Sequence, residues 1–80
     1  MKYVYLLRSI SNPHRTYVGA IEDLQRRVSD HNQGKASHTA RFVPWMLEVV
    51  VQFRDAKKAD RFETYLKSGS GHAFAKRHFW

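Results

Sequence analysis

The chain has 80 residues, and this length limits it to a single domain, residues 1–80. Its hydrophobic content of 42% excludes a disordered tail. It has no cysteine and no apolar run near the roughly 20 residues that span a bilayer, so we expect a cytoplasmic protein without disulfides, a signal peptide or a membrane partner. The net charge of +7 is concentrated where no acidic residue occurs, between Asp30 and Glu48 and after Glu63, which favours a polyanion and most simply nucleic acid.

The first half of the chain predicts a hairpin followed by a helix. Residues 3–8 and 15–20 are rich in aromatic and branched side chains, and the turn residues between them predict an antiparallel pair of strands. Residues 22–32 have the apolar period of a helix, with acidic residues in the first turn, and Gly34 is expected to end it.

The second half of the chain adds a strand and two helices. A basic loop at 35–44 leads into a third strand at 45–53, and a helix capped by an aspartate is expected over 55–67. The Ser-Gly-Ser-Gly segment at 68–71 should interrupt this helix, and residues 72–79 predict a short last helix. The order β-β-α-β-α-α predicts an α+β fold in which a three-stranded antiparallel sheet is flanked by helices.

Helical geometry turns three polar side chains toward apolar faces. At about 100° per residue, His31 lies within the apolar stripe of the first helix and Arg27 lies at its edge. Glu63 lies within the apolar stripe of the second helix. An arginine that faces the sheet needs an anion or several hydrogen-bond acceptors, and a buried glutamate needs a cation side chain or a metal. An ion pair between Arg27 and Glu63, without any chemistry, is the purely structural alternative.

Two tyrosines lie on the predicted hairpin. Tyr5 shares one face of its strand with Tyr3 and Leu7, because side chains alternate along a strand. Tyr17 shares a face with Gly19, and the missing side chain is expected to leave a space beside Tyr17 that is open to a ligand. The alternative is ordinary sheet packing, with the hydroxyl groups at the rim of the core.

The order and type of these residues resemble the GIY-YIG nuclease family over nearly the whole chain. The resemblance rests on two strand motifs, an arginine, a histidine and a glutamate. They are Tyr3-Val4-Tyr5, Tyr17-Val18-Gly19, Arg27, His31 and Glu63. The stretch 59–67 is similar to the glutamate helix of the family, and the segment 67–71 is similar to its small stand-alone bacterial members.

The resemblance implies the same three-stranded sheet and a metal-dependent cleavage of DNA phosphodiester bonds. In such a nuclease Glu63 would hold one Mg²⁺ or Mn²⁺ ion, and Arg27 would bind the scissile phosphate and stabilise its developing charge. Tyr17 would orient or deprotonate the attacking water, and Tyr5 would help to place it. His31 would assist proton transfer.

Two departures from the family pattern keep a second function open. Ala20 stands where some catalytic relatives carry a lysine, and no asparagine follows Asn32, although many active members carry one late in the chain. The alternative is therefore a catalytically weak or inactive nucleic-acid-binding module of the same fold. A third hypothesis is a protein-interaction adaptor that uses Trp45, Phe79 and Trp80 as an apolar contact.

We expect the nucleic acid to be held by basic residues of the loop, the second helix and the tail. These residues are Lys35, His38, Arg41, Lys67, Lys76 and Arg77. Binding is expected to be salt-sensitive and to follow strand structure rather than base sequence. DNA is the expected partner, while RNA, the substrate structure, the choice between Mg²⁺ and Mn²⁺, and a monomer or a weak homodimer remain open.

Overall fold

The computed structural model describes the whole chain, residues 1–80, as a sheet with helices on both of its faces. In chain order the elements are strand β1 at Lys2–Ser9, strand β2 at Thr16–Ile21, helix α1 at Leu24–Asn32, a 3₁₀ turn at Ala40–Phe42, strand β3 at Trp45–Phe53, helix α2 at Ala56–Leu66 and helix α3 at Gly69–His78. The predicted α+β class and the predicted order of strands and helices are confirmed. No helix combines the length and the apolar character that crossing a membrane requires.

Strand β1 lies in the middle of the sheet, between β2 and β3, and is antiparallel to both. Its residues from Val4 to Leu7 form a continuous apolar run in which no residue is more than 1% exposed. Such a run is typical of a strand that is covered on both faces. Tyr5 pairs with Gly19 of β2 and with Val50 of β3, and this register decides which side chains share its face.

One side of the sheet, which we call the packing face, is covered by α2 and α3. Val4 and Leu6 extend from β1 into an apolar cluster with Ala59 and Leu66 of α2 and Ala75 of α3. Full burial of a side chain such as Val4 or Leu6 stabilises a fold by about 1.5–3 kcal/mol. In a chain of this size this cluster is therefore a main source of stability.

The opposite side of the sheet, which we call the site face, is covered by α1. Tyr5 and Leu7 extend into it from β1 and form a second cluster with the buried Trp45 at the start of β3. Leu24 and Val28 of α1 pack against this cluster, as the helical period predicted.

The aromatic residues of the adaptor hypothesis are used inside the fold. Phe79 and Trp80 pack against the apolar cluster of the packing face, and Trp45 is only 4% exposed on the other face. The three rings therefore do not form the shared exposed contact that an adaptor would need.

Side-chain caps set the helix boundaries and correct two predicted ones. Asp23 accepts a hydrogen bond from the Arg26 amide, so α1 begins at Leu24 rather than at residue 22. Asp55 caps α2 as predicted, through the Lys57 amide.

Helix α3 begins three residues earlier than predicted, at Gly69, because Ser68 is its N-cap. The Ser68 hydroxyl accepts from the Gly71 amide, so the Ser-Gly-Ser-Gly segment links two helices directly. A side chain at Gly71 would collide with the Tyr65 carbonyl, so this glycine permits the close approach of α2 and α3.

Candidate active site

A buried tyrosine of the central strand meets a buried histidine of α1 on the site face. Tyr5 is 1% exposed and His31 is 0% exposed, and the Tyr5 hydroxyl lies 3.1 Å from His31 Nε2. His31 is the only buried residue of α1, as expected from its position within the apolar stripe of the helix. The contact brings together two of the residues that the sequence had placed in the site.

Thr39 fixes which nitrogen of His31 carries the proton. Its hydroxyl oxygen lies 2.7 Å from His31 Nδ1 and 3.3 Å from the Ala36 carbonyl oxygen. A carbonyl oxygen can only accept, so the Thr39 hydroxyl donates to Ala36 and its oxygen accepts from Nδ1–H. His31 Nε2 is then free of a proton, and it accepts the hydrogen bond from Tyr5.

Gly19 is required by the position of the Tyr5 ring. Gly19 is the cross-strand partner of Tyr5, and a side chain there would collide with the Tyr5 phenol, including its hydroxyl. The prediction that Gly19 leaves an open space beside Tyr17 is therefore wrong, because the Tyr5 ring from the neighbouring strand occupies that space. Gly19 serves packing of the site rather than entry of a ligand.

Tyr17 and Arg27 complete the cluster on the site face. The Tyr17 ring centroid lies 4.7 Å from that of His31 and 6.1 Å from that of Tyr5. Arg27 lies one turn before His31, and hydrogen bonding to Tyr5 raises its pKa, with a further contribution from Tyr17 and against the effect of burial. Arg26 is exposed, in agreement with the helical geometry.

The buried pair of the site is uncharged near neutral pH. Burial raises the pKa of Tyr5 to about 12, although the neighbouring Arg27 acts in the opposite direction. Burial also lowers the pKa of His31, the positive charge of Arg27 adds to this effect, and Asp30 opposes it. His31 is thus a neutral imidazole, which is the form that can accept a proton.

Glu63 lies on α2, on the packing side of the sheet, and makes no hydrogen bond or ion pair with the other four predicted site residues. Its Oε2 accepts from Lys67 Nζ at 3.0 Å, and its side chain is 25% exposed. The ion pair with Arg27 that the sequence offered as a structural alternative is not formed. The cation that Glu63 needs is the lysine one turn further along the same helix.

A groove along the edge of the sheet lies between these two groups of residues. It has a volume of about 230 Å³ and is lined by Tyr17 and Val18 of β2 and by Lys67 at the end of α2, among others. Because β2 is an edge strand, a ligand that lies along it can contact Tyr17 and Lys67, the partner of Glu63, together.

The donor chemistry of Glu63 fits a single Mg²⁺ or Mn²⁺ ion. Mg²⁺ keeps several waters and takes oxygen ligands, often one or two carboxylates together with substrate phosphates. Glu63 supplies one such carboxylate, and its Oε1 has no hydrogen-bond partner in the protein. The structure has no group of three His, Cys, Asp or Glu side chains that could form a cage on its own. An ion bound at Glu63 would therefore rely on water and phosphate for its remaining ligands.

Comparison with known proteins decides the family. The family model of the GIY-YIG catalytic domain matches residues 1–77 of the chain. The chain belongs to the GIY-YIG family. This confirms the predicted class of enzyme.

The GIY-YIG domain is similar to the structure-specific endonuclease subunit SLX1 of several fungi. It is 38% identical to that of Candida dubliniensis over 82 aligned positions, which cover 94% of this chain and 27% of the relative. It is 37% identical to that of Debaryomyces hansenii over 82 positions, covering 94% of this chain and 22% of the relative. For Malassezia globosa the identity is 45% over 51 positions, covering 59% of this chain and 11% of the relative.

The chain thus spans about a quarter of the length of the first two relatives. These relatives are fungal and give no support to the expected small stand-alone bacterial type. No solved structure matches the domain significantly.

The basic residues that were predicted to hold nucleic acid are divided between the two faces of the GIY-YIG domain. Three of them lie on the loop that also carries Thr39, next to the site face, and they are Lys35, His38 and Arg41. The other three lie at the end of α2 or on α3, and they are Lys67, Lys76 and Arg77. The first group adjoins the tyrosine–histidine cluster through Thr39, and Lys67 of the second group lines the groove beside Tyr17.

Two residues that support the site of the GIY-YIG domain were missed from the sequence. Thr39 contacts His31 directly, and its carbonyl accepts from the Trp45 indole at 2.8 Å. The Asn32 side chain donates to the Trp45 carbonyl at 3.2 Å and accepts from the Trp45 amide at 2.5 Å. These bonds tie the end of α1 to the start of β3. Thr39 lies in an irregular loop, where no hydrophobic period marks an inward side chain.

Proposed function

We propose that this GIY-YIG domain is a metal-dependent endonuclease that hydrolyses DNA phosphodiester bonds and prefers particular strand structures over base sequences. The observation that carries the proposal is the cluster of Tyr5, Tyr17, Arg27 and His31 on one face of the sheet. The cluster joins a positive charge, Arg27, to tyrosine hydroxyl groups that lead to one neutral proton acceptor, His31. This is the combination that attack of water on a phosphodiester requires.

In this proposal Arg27 binds the scissile phosphate through its guanidinium group. A phosphodiester gains negative charge on its non-bridging oxygens as water adds to phosphorus. The pKa of Arg27 is raised, mainly by Tyr5, so the guanidinium keeps its positive charge beside the two tyrosines. Arg27 therefore offers its charge to the transition state.

Tyr17 is the tyrosine that meets the attacking water, because it is half-buried whereas Tyr5 is closed off. Tyr17 accepts the proton of the water while its own hydroxyl proton passes to Tyr5, and the Tyr5 hydroxyl proton passes to His31 Nε2, which becomes an imidazolium. Thr39 keeps His31 Nε2 open as the acceptor of that proton. The phosphorus–oxygen bond to the leaving sugar then breaks, the sugar oxygen takes a proton from solvent, and His31 returns its proton to solvent along the same hydroxyl groups.

Glu63 is the residue that would hold the divalent ion, Mg²⁺ or Mn²⁺. When bound there, the ion supplies Lewis-acid neutralisation of the phosphate charge. Binding of a cation at Glu63 competes with Lys67, so Lys67 is expected to turn toward the phosphate instead.

The proposed partners follow from the relatives as well as from charge. The relatives are called subunits of a structure-specific endonuclease, so we propose that this domain acts on non-uniform DNA and within an assembly. DNA is the proposed substrate, with RNA as an outcome of the test, in a cytoplasmic or nuclear setting. The domain itself is proposed to be a monomer or a weak homodimer.

A panel of labelled nucleic acids tests the proposal. Single-stranded, duplex, flapped and branched DNA and RNA are incubated with Mg²⁺, Mn²⁺ or EDTA. We expect metal-dependent cleavage that Arg27→Ala and Glu63→Gln each reduce by about 100-fold or more while binding persists. Glu48→Gln is the matched control, since it removes an exposed carboxylate from the far edge strand. Equal cleavage by the wild type and Glu63→Gln would contradict the proposed role of Glu63.

A nucleic-acid-binding module without cleavage is the second candidate. Two observations favour it, namely the engagement of Glu63 by Lys67 and the presence of Ala20 where some catalytic relatives carry a lysine. It predicts salt-dependent binding and no metal-dependent product on any member of the panel. Turnover on any substrate, lost in Glu63→Gln, rules it out.

A further inference from the structure

Two arginines from distant parts of the chain lie against the same aromatic ring. The guanidinium carbon of Arg15 lies 4.8 Å from the centroid of the Phe42 ring, and that of Arg41 lies 6.0 Å from it. Both arginines are exposed, and neither forms an ion pair or a side-chain hydrogen bond within the protein. We call Arg15, Phe42 and Arg41 the arginine clamp.

The clamp is anchored to the core of the site face. Phe42 packs against the cluster that contains Tyr5, and its ring meets the Trp45 ring edge-on at a centroid distance of 6.4 Å. The Phe42 carbonyl accepts from the Ser9 hydroxyl at 2.6 Å. The ring is thus a fixed support, and it restricts the guanidinium groups without using their hydrogen-bond donors.

The clamp lies beside Tyr17 along the edge of the sheet. The Ser9 amide donates to the Arg15 carbonyl at 3.0 Å, which continues the β1–β2 ladder one step beyond β2. Arg15 and Tyr17 are two residues apart, so their side chains share a face and their Cα atoms are separated by about 7 Å. A polymer that places one phosphate at Tyr17 can therefore place a neighbouring phosphate at Arg15.

We propose that the arginine clamp is a phosphate-binding subsite that holds the nucleic-acid strand next to the phosphate bound at Tyr17 and Arg27. This inference rests on the proposed function, and it names residues outside the motifs of the family. Free guanidinium edges match phosphate oxygens with two parallel hydrogen bonds. Because the ring restricts the arginines beforehand, less conformational entropy is lost on binding. Phosphate contacts of this kind set the register of a strand and carry no base preference.

Binding of a fluorescent DNA strand, followed by anisotropy in EDTA over a range of salt concentrations, tests the subsite without cleavage. Arg15→Gln and Arg41→Gln are each expected to weaken binding about five- to tenfold and to lower the salt slope by about one. Arg61→Gln is the matched control, since Arg61 is an exposed arginine of α2 on the packing face and its loss changes the net charge equally. Its effect on the dissociation constant is expected to be less than about twofold.

The outcomes separate this inference from the proposed function. If all three glutamine variants weaken DNA binding equally, only net charge matters and the clamp is overturned. A wild-type protein that binds no strand at low salt also overturns the clamp. Loss of binding confined to Arg15→Gln and Arg41→Gln, without cleavage of any substrate, supports the clamp and rejects the nuclease.

A second measurement locates the contact on the strand. Single phosphates are replaced in turn by uncharged methylphosphonates. One replacement is expected to weaken the wild type and Arg61→Gln by the same factor and to leave the Arg15→Gln variant unchanged. Absence of any such position overturns the subsite. Thermal unfolding of each variant is measured in parallel, and unchanged midpoints are expected, because both arginines are exposed.

Discussion

The two faces of the sheet use the same central strand for different purposes. On the packing face, Val4 and Leu6 meet only apolar groups from α2 and α3. On the site face, Tyr5 lies between Gly19 and His31 and takes part in a buried hydrogen-bond network. Apolar contacts tolerate small adjustments, whereas a buried polar network fails when one partner is lost. Changes to the apolar cluster of the packing face should therefore affect stability alone, and changes to the hydrogen-bond network of the site face should affect chemistry as well.

The largest effect is expected from Leu6→Ala on the packing face. Leu6 is fully buried, and its truncation should lower the free energy of unfolding by about 2–5 kcal/mol, a large share of what a small domain has. Chemical denaturation monitored by circular dichroism measures the loss. Leu47→Ala, at a side chain that is 40% exposed, is the control and should cost about 1 kcal/mol or less. Activity per folded molecule should stay unchanged. A fall in this activity would contradict the inference that the apolar cluster of the packing face serves stability alone.

Gly19→Ala should have the next largest effect, and it acts on both stability and the site. The new methyl group collides with the Tyr5 phenol, so we expect a loss of about 1–3 kcal/mol and a displaced Tyr5 ring. Gly69→Ala is the matched control, because no atom lies within 4 Å of the methyl group that it adds. It should be neutral or stabilising. The imidazole NMR signals of His31 report the displacement. If they are identical in Gly19→Ala and the wild type, Tyr5 has kept its place and the prediction is wrong.

Thr39→Val should cost less in stability and still alter the chemistry. It leaves His31 Nδ1–H without an acceptor, at a cost of about 1 kcal/mol, and shifts the proton toward Nε2. Nitrogen-15 NMR of the imidazole reports the tautomer directly, with Thr39→Ser as the variant that restores it. A wild-type imidazole protonated at Nε2 would contradict the assigned network, whether or not the protein cleaves DNA.

The smallest effect is expected from the acid titration of His31. The pKa of His31 is lowered below its ordinary value of 6.5, so the unfolded chain binds a proton at pH values where the folded protein does not. Stability should therefore decrease as the pH falls from about 6.5 to the lowered value, and it should level off below it. Denaturation curves at several pH values measure this slope, which should be smaller in His31→Gln. A pKa of His31 at or above 6.5, measured by NMR, would contradict the expected loss of stability at low pH.

Periodicity made half of the site predictable from the sequence. Alternation along β1 placed Tyr5 on the same face as Leu7, and the helical period of α1 placed His31 inward, and the structure agrees with both. Periodicity also placed Glu63 within the apolar stripe of α2, but it gave no information about which cation forms an ion pair with Glu63. Lys67 lies one turn away on the same helix, and Arg27 lies on another element, so the local pair is the one that forms.

The rest of the site depends on contacts between elements that are far apart in sequence. The space above Gly19 appeared open because the cross-strand register with Tyr5 was not known, and this register follows from the assembled sheet. Thr39 and Phe42 lie in or near an irregular turn, where burial has no period to reveal it. Ser68 was interpreted as part of a helix-breaking segment, although a serine before glycines can also cap a helix.

The double pairing of β1 has a consequence for how the domain opens. Amide protons of β1 are bonded on both sides of the strand, so their exchange with solvent should require unfolding of the whole domain. Helix α1 has nine residues and buries only His31, so it should exchange through local opening at a lower free energy. Tyr5 would then stay in place while Arg27 and His31 move away and return. A nucleic-acid strand would then reach the site through local opening of one short helix, without any opening of the sheet.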